Sequence, residues 1–239
     1  MNPHKLTIQV LLCLLVVYVA APKAAAQARQ RPSGRRGIVV DERLAAVRAT
    51  PQLNGRLVRR LSRGRQVAIR GFRTTPEGVV FLLVNVTSRT RGWIQREAVV
   101  SPGHAGDDRR LLDLIEVSHG FDRIVRARIF LDHFPRSPLR PKVLLLLGNT
   151  AQAQAAKLSR DAAKRLNGTL GPAPETSYFM NYSGLDRYNR QRVGFVFNRS
   201  TGSFHYDGAA WRELIRRHPN TPEATEARKR LGELAAISQ

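Results

Sequence analysis

The residues best suited to acid–base or metal chemistry are the five histidines beyond residue 28: His104, His119, His133, His205 and His218. A helical zinc site of the H-E-x-x-H type needs two histidines four positions apart with a glutamate between them, and no pair here has that spacing. His104 stands close to Asp107 and Asp108, a set that could chelate a cation. A loop running into a helix N-terminus accounts for the same residues, because carboxylates are favoured at the positive end of the helix dipole. His133 and His218 lie just before prolines at expected helix ends, where a cationic side chain faces the last carbonyls. Nothing matches a G-x-S-x-G elbow, a Walker loop or a G-x-G-x-x-G turn. Asp186-Arg-Tyr-Asn189 lacks the spacing of a calcium loop. No catalytic residue, metal ligand or cofactor is expected, and the chain reads as a binding protein, not an enzyme.

What remains for chemistry is arginine and aromatic side chains. Lys and Arg total 40 against 18 Asp and Glu, a formal net charge of +22. Charge of this size attracts polyanions at long range and the attraction weakens with salt. Arginine written onto ordinary solvated faces would give the same total, so composition alone leaves both readings open.

The compartment narrows the choice of polyanion. Residues 1–28 carry Lys5, an apolar stretch from Ile8 to Ala21 and small residues that fit an A-x-A rule, the layout of a secretory signal peptide cleaved near Ala26–Ala28. The apolar stretch is short of the roughly 20 residues that span a bilayer, although an uncleaved anchor is the alternative. The chain's one cysteine, Cys13, lies within it, so no thiol or disulfide is expected in the exported protein. Loss of Lys5 and Lys23 with the signal lowers the formal charge from +22 by two. The expected location is periplasmic or secreted. Anionic envelope polymers then become the available polyanions, and no intracellular nucleic acid is expected as a partner.

Residues 29–37 form a Pro-, Gly- and Arg-containing basic linker. Beyond it, short runs rich in β-branched residues at 37–40, 57–58, 66–70, 79–86 and 93–94 are separated by turn sequences, which predicts a small barrel or sandwich over 38–102. Four elements occur in order: Ala46-Val47-Arg48 with Pro51, Leu61 to Gly64, Phe81 to Val84, and Gly92-Trp93-Ile94. This order resembles the bacterial SH3 (SH3b) family. Thr50 stands where that family usually has Gly, and Phe81 where it usually has Trp. The resemblance implies an SH3-like barrel acting as an extracytoplasmic binding module for cell-wall peptides or another protein. Within it, Trp93 is expected either as a core residue at a barrel seam or as the edge of a shallow groove. In the second case Phe81 is a further groove candidate, with Arg89 and Arg91 supplying charge from the loop over 85–91. Gly92 is expected to permit a tight turn or bulge.

After a break at 101–108 the pattern becomes helical over 107–236. Residues 133–148 (HFPRSPLRPKVLLLLG) recur as 217–232 (RHPNTPEATEARKRLG), 84 positions apart, each copy preceded by an amphipathic segment. This helix, Pro-bounded turn and helix with a Ser or Thr N-cap resembles tetratricopeptide-like (TPR-like) repeats, which implies a surface holding a protein partner. Residues 143–147 are apolar all round, and their counterparts 227–231 keep one apolar stripe, so the second copy is expected to be a solvent-facing cap. An insert at 171–207 contains a hairpin, with strands near 193–198 and 203–206. Its aromatic and Arg residues, with Tyr182, Arg187, Tyr188 and Arg190 as candidates, either form a recognition surface or pack as a third small core.

The expected fold class is therefore α+β: an N-terminal all-β SH3-like barrel followed by a TPR-like helical domain with a β-hairpin insert. The expected function is a non-catalytic scaffold. Its barrel would engage peptidoglycan or a wall-associated protein, and its helices a protein partner. An Arg-rich binder of lipopolysaccharide or extracellular nucleic acid is the alternative. An accessory pair of a wall hydrolase is a third reading, opposed by the lack of a catalytic module.

Overall fold

The computed structural model describes residues 36–167 and 184–237, all within one compact unit, Pro32–Gln239. The expected signal 1–28, its cleavage site at Ala26–Ala28, most of the 29–37 linker, Tyr182 and the 171–183 part of the insert lie outside the described residues.

The chain is mixed α+β, a seven-stranded antiparallel sheet followed by helices. The strands are β1 (Arg36–Val39), β2 (Ala46–Arg48), β3 (Leu57–Arg60), β4 (Gln66–Thr74), β5 (Val80–Asn85), β6 (Arg91–Gln95) and β7 (Val99–Val100). They lie in the order β3-β2-β6-β5-β4-β1-β7, and a 3₁₀ turn, Arg96–Ala98, joins β6 to β7. Alternation decides the faces. Leu82 and Val84 of β5 and Ile94 of β6 point into a core with Val47, Val67 and Ile69. Phe81, Leu83, Trp93 and Gln95 fall on the opposite face, where Leu83 pairs with Trp93 and Phe81 with Gln95. Gly92 is required by close approach and not by a turn. A Cβ there would stand 2.6 Å from the Arg48 carbonyl oxygen, so any larger residue would push β2 off β6.

The helices are α1 (Asp107–Glu116), α2 (Gly120–His133), α3 (Arg140–Asn167), α4 (Leu185–Asn189), α5 (Ala209–Arg217) and α6 (Pro222–Ile237), with a hairpin of β8 (Phe195–Asn198) and β9 (Ser203–Tyr206) between α4 and α5. The hairpin strands fall where the sequence places them. The 84-residue periodicity is also visible in backbone hydrogen bonds. Phe134 N to Phe130 O, Ser137 N to Phe134 O and Arg140 N to Ser137 O recur as His218 N to Leu214 O, Thr221 N to His218 O and Ala224 N to Thr221 O. The two copies differ in burial as their compositions predict. Val143, Leu144 and Leu147 are buried, whereas Arg228 and Lys229 are exposed.

Sheet and helices share a core. Ile38, Val40 and Val100 of the sheet pack with Leu111, Ile124 and Phe130 of the helices. Two charged groups fasten the junction. Asp107, 2% exposed, accepts the Ser101 amide at 2.7 Å, Arg96 at 2.5 Å and Arg110 at 3.4 Å. Arg126, 6% exposed, donates to the Val40 carbonyl at 3.2 Å and to Ser118 Oγ at 2.6 Å. A buried carboxylate or guanidinium is tolerated only with such partners, so both groups depend on the sheet and the helices staying together.

Candidate functional site

A large concavity on the sheet module lies between two turn segments. One wall is the loop Thr50–Asn54 that links β2 to β3. It is tied down by Arg48 Nη1 donating to the Gly55 carbonyl at 2.8 Å and by the Gly55 amide donating to Gln52 O at 3.1 Å. The other wall is the β4–β5 turn, closed by the Thr75 amide to Val79 O at 2.9 Å and by the Val79 amide to Thr75 Oγ1 at 3.2 Å. Both walls are held by their own hydrogen bonds, so the space between them is preformed. It measures about 990 Å³, at the upper end of ordinary ligand clefts.

Phe81 lies on the outer face of β5, fully buried, and lines this groove. Pro51, Leu53 and Val79 add apolar surface, and Leu53 is 56% exposed. Arg73 and Glu77 stand on the same wall. The Thr75 hydroxyl, followed by Glu77's own backbone amide, holds the Glu77 carboxyl below its ordinary range, so it is anionic at neutral pH. With Gln52 and Asn54 opposite, the groove offers apolar contact, amides and one charge of each sign. That set suits an extended, peptide-like ligand.

The other sequence candidates fall elsewhere. Trp93 is half-buried on the outer face and is not among the residues lining the groove. Arg89 and Arg91 are also outside it. Arg91 pairs with Asn85 at the loop end of the β5–β6 hairpin, whereas Phe81 pairs with Gln95 at the opposite end. Four residues of strand separate the two ends, roughly 13 Å. The groove between 50–54 and 73–79 thus includes Phe81 among its lining residues, but not Trp93, Arg89 or Arg91. Ile94, and not Trp93, joins the core on the inner face of the sheet.

In the insert, Tyr188 is 0% exposed and belongs to the helical core. Its ring meets Phe121 and Phe195 edge-on at 5.3 and 5.1 Å, and its hydroxyl donates to Gln154 Oε1 at 3.0 Å. Arg187 stacks over Phe121 and Tyr188 at 5.0 and 4.8 Å and donates to the Tyr188 hydroxyl. Arg190 is exposed. The described insert residues thus serve packing first, and Tyr188 is corrected from surface candidate to core.

The histidines add little. His104 Nδ1 lies 3.6 Å from Asp107, but that carboxylate already holds two guanidiniums and a backbone amide, which leaves no anionic site for a cation. Among the described residues no group of three or more His, Cys, Asp or Glu is placed to hold a metal ion. Burial pushes the His133 imidazole down, which favours the neutral ring over the expected helix-end cation.

Arginines missed as structural residues do much of the work of the helical region. Arg123 donates to Ile115 O and Glu116 O at the end of α1, Arg140 to Leu131 O in the last turn of α2, and Arg128 to Gln191 O and Arg192 O just past α4. Each supplies donors that a helix end lacks. By contrast Arg56, Arg59, Arg60, Arg70, Arg73, Arg89 and Arg91 of the sheet module are exposed, with no carboxylate partner among the described residues.

Compared with protein-family models, curated proteins and solved structures, the chain matches none.

Proposed function

We propose that this chain is a non-catalytic, extracytoplasmic binding and scaffold protein. Its sheet module holds a peptide-like ligand of the cell wall, or of a wall-associated protein, in the groove between 50–54 and 73–79. The observation that carries this reading is the preformed groove itself, apolar at its floor and charged with both signs on one wall. An SH3-like barrel suits the strand order and the 3₁₀ turn that delivers the last short strand. A TPR-like reading of the helices, with a protein partner, is supported by the hydrogen bonds that recur 84 residues apart. The unpaired arginines of the sheet module favour a second reading, a polyanion binder, for which strong salt dependence is the signature.

Co-sedimentation with purified peptidoglycan sacculi separates the two. The chain lacking residues 1–28 retains every described residue and is the protein to use. Pelleting that persists at high salt, and falls roughly tenfold in affinity when Leu53→Ala and Val79→Ala are combined, agrees with apolar groove contacts. Pelleting at low salt alone would move the module to the polyanion reading.

A further inference from the structure

The two edges of the sheet differ. At one edge, β7 is covered: Val99 and Val100 are fully buried, and Arg96 and Arg110 both donate to the Val99 carbonyl. At the other edge, β3 is open along its whole length, with all four of its residues exposed. Leu57 and Val58 are 45% and 39% exposed. Both lie at the shift in the β2–β3 register and both are exposed, so neither side chain is enclosed by the body of the protein. Arg56 precedes this apolar pair and Arg59 and Arg60 follow it. None of the three has a carboxylate partner among the described residues, and no acidic residue interrupts the run. Leu53, 56% exposed, adds a further apolar side chain on the loop before the strand.

We propose that the β2–β3 hairpin is an interfacial foot that docks on an anionic lipid surface. Leu57 and Val58 enter the boundary between headgroups and acyl chains, and Arg56, Arg59 and Arg60 meet the headgroup phosphates around them. Apolar side chains at a membrane boundary, ringed by arginines that keep their charge in the polar layer, are the combination such a surface selects. A protein strand adding to the edge of β3 fits less well. The β2–β3 register shifts between Val47 and Arg48, so β3 carries a bulge and lacks a regular ladder to extend. A second copy of the chain would set these arginines against their own kind.

The foot shares the Thr50–Asn54 loop and Leu53 with the groove, but Leu57, Val58, Arg59 and Arg60 do not line the groove, so their variants test the foot alone. The test is vesicle flotation of the chain lacking residues 1–28. Vesicles of phosphatidylcholine alone are compared with the same lipid doped with phosphatidylglycerol. Binding is expected to the anionic vesicles and not to the neutral ones. Leu57→Ser with Val58→Ser should weaken it about tenfold, and Arg59→Gln or Arg60→Gln roughly fivefold each. These positions are exposed, so the variants keep the fold, and sacculus binding in the same preparations reports on the groove separately. A Val58→Trp variant adds a direct readout, a fluorescence blue shift on anionic vesicles only. Absence of binding to the anionic vesicles overturns the proposal. So does binding that ignores the Leu57 and Val58 changes, or a soluble polyphosphate that binds as tightly as the vesicles, either of which would make the arginines a general polyanion surface. A dimer whose formation depends on Leu57 and Val58 would replace the lipid with a second copy.

Discussion

Trp211 is 1% exposed, packed on Gly148, with its indole Nε1 donating to Asn149 Oδ1 at 3.2 Å and its ring meeting Tyr206 edge-on at 5.3 Å. Trp93 is half-buried on the outer face of the sheet. The arginines divide in the same way. At the junction and among the helices some are enclosed and donate to backbone carbonyls, as Arg126 and Arg140 do, while others, such as Arg136, Arg160 and Arg216, are exposed. On β3, β4 and the β5–β6 hairpin they are exposed, with no carboxylate partner among the described residues. The two buried arginines, Arg126 and Arg140, are structural residues of the helical region, whereas β3 carries only exposed ones. A net charge of +22 adds two populations of arginine that serve different ends.

The largest expected effect that tests this contrast is on stability. Trp211→Ala should destabilise the protein by about 3–5 kcal/mol in urea unfolding, and Trp93→Ala by clearly less, since only the former empties a closed core. Similar losses from the two would erase the distinction. Gly148→Ala bears on the same packing. A Cβ at Gly148 would overlap the indole of Trp211, 2.2 Å from its Nε1, so a cost of about 1–3 kcal/mol is expected. Arg126→Met should cost about 1–3 kcal/mol by leaving the Val40 carbonyl and the Ser118 hydroxyl without their partner. Arg59→Gln should change stability by less than about 0.5 kcal/mol while lowering salt-sensitive binding.

A smaller effect follows from acidification. Burial lowers the His133 pKa, so the unfolded chain takes up that proton first as pH falls. Stability should then decline as pH drops through about 6.5, and His133→Asn should flatten that decline. The Asp41 and Asp122 carboxyls are held low chiefly by hydrogen bonds from Arg43 and Arg63. Their contribution is complete above about pH 4 and is lost as pH falls through their folded values. Thermal melting across this range reads both steps.

Much of the fold was legible because apolar runs and periodicity report burial directly. The runs at 66–70 and 79–86 became β4 and β5, and the repeat 84 residues apart became matching helix turns. The strands at Ala46–Arg48 and Val99–Val100 carried no such run, being two or three residues long. The groove was illegible for a different reason. Its walls, Thr50–Asn54 and Arg73–Glu77, are turn sequences that look like any solvated loop, and only the curl of the sheet brings them together. Arg89 and Arg91 adjoin Trp93 in sequence, and hairpin pairing places Arg91 at the far end from Phe81. Gly92 was visible as a constraint, but its cause, the Arg48 carbonyl, belongs to a strand more than forty residues earlier in the chain.

The most direct test of the proposed function is to locate the ligand on the intact protein. Amide chemical shifts of the chain lacking residues 1–28 would be followed while a soluble peptidoglycan fragment carrying its stem peptide is added at high salt. The groove assignment predicts saturable shifts confined to Thr50–Asn54, Arg73–Val79 and Phe81. Shifts centred on Arg59, Arg60, Arg89 and Arg91 that vanish with salt would contradict it, as would no shift at any ligand concentration.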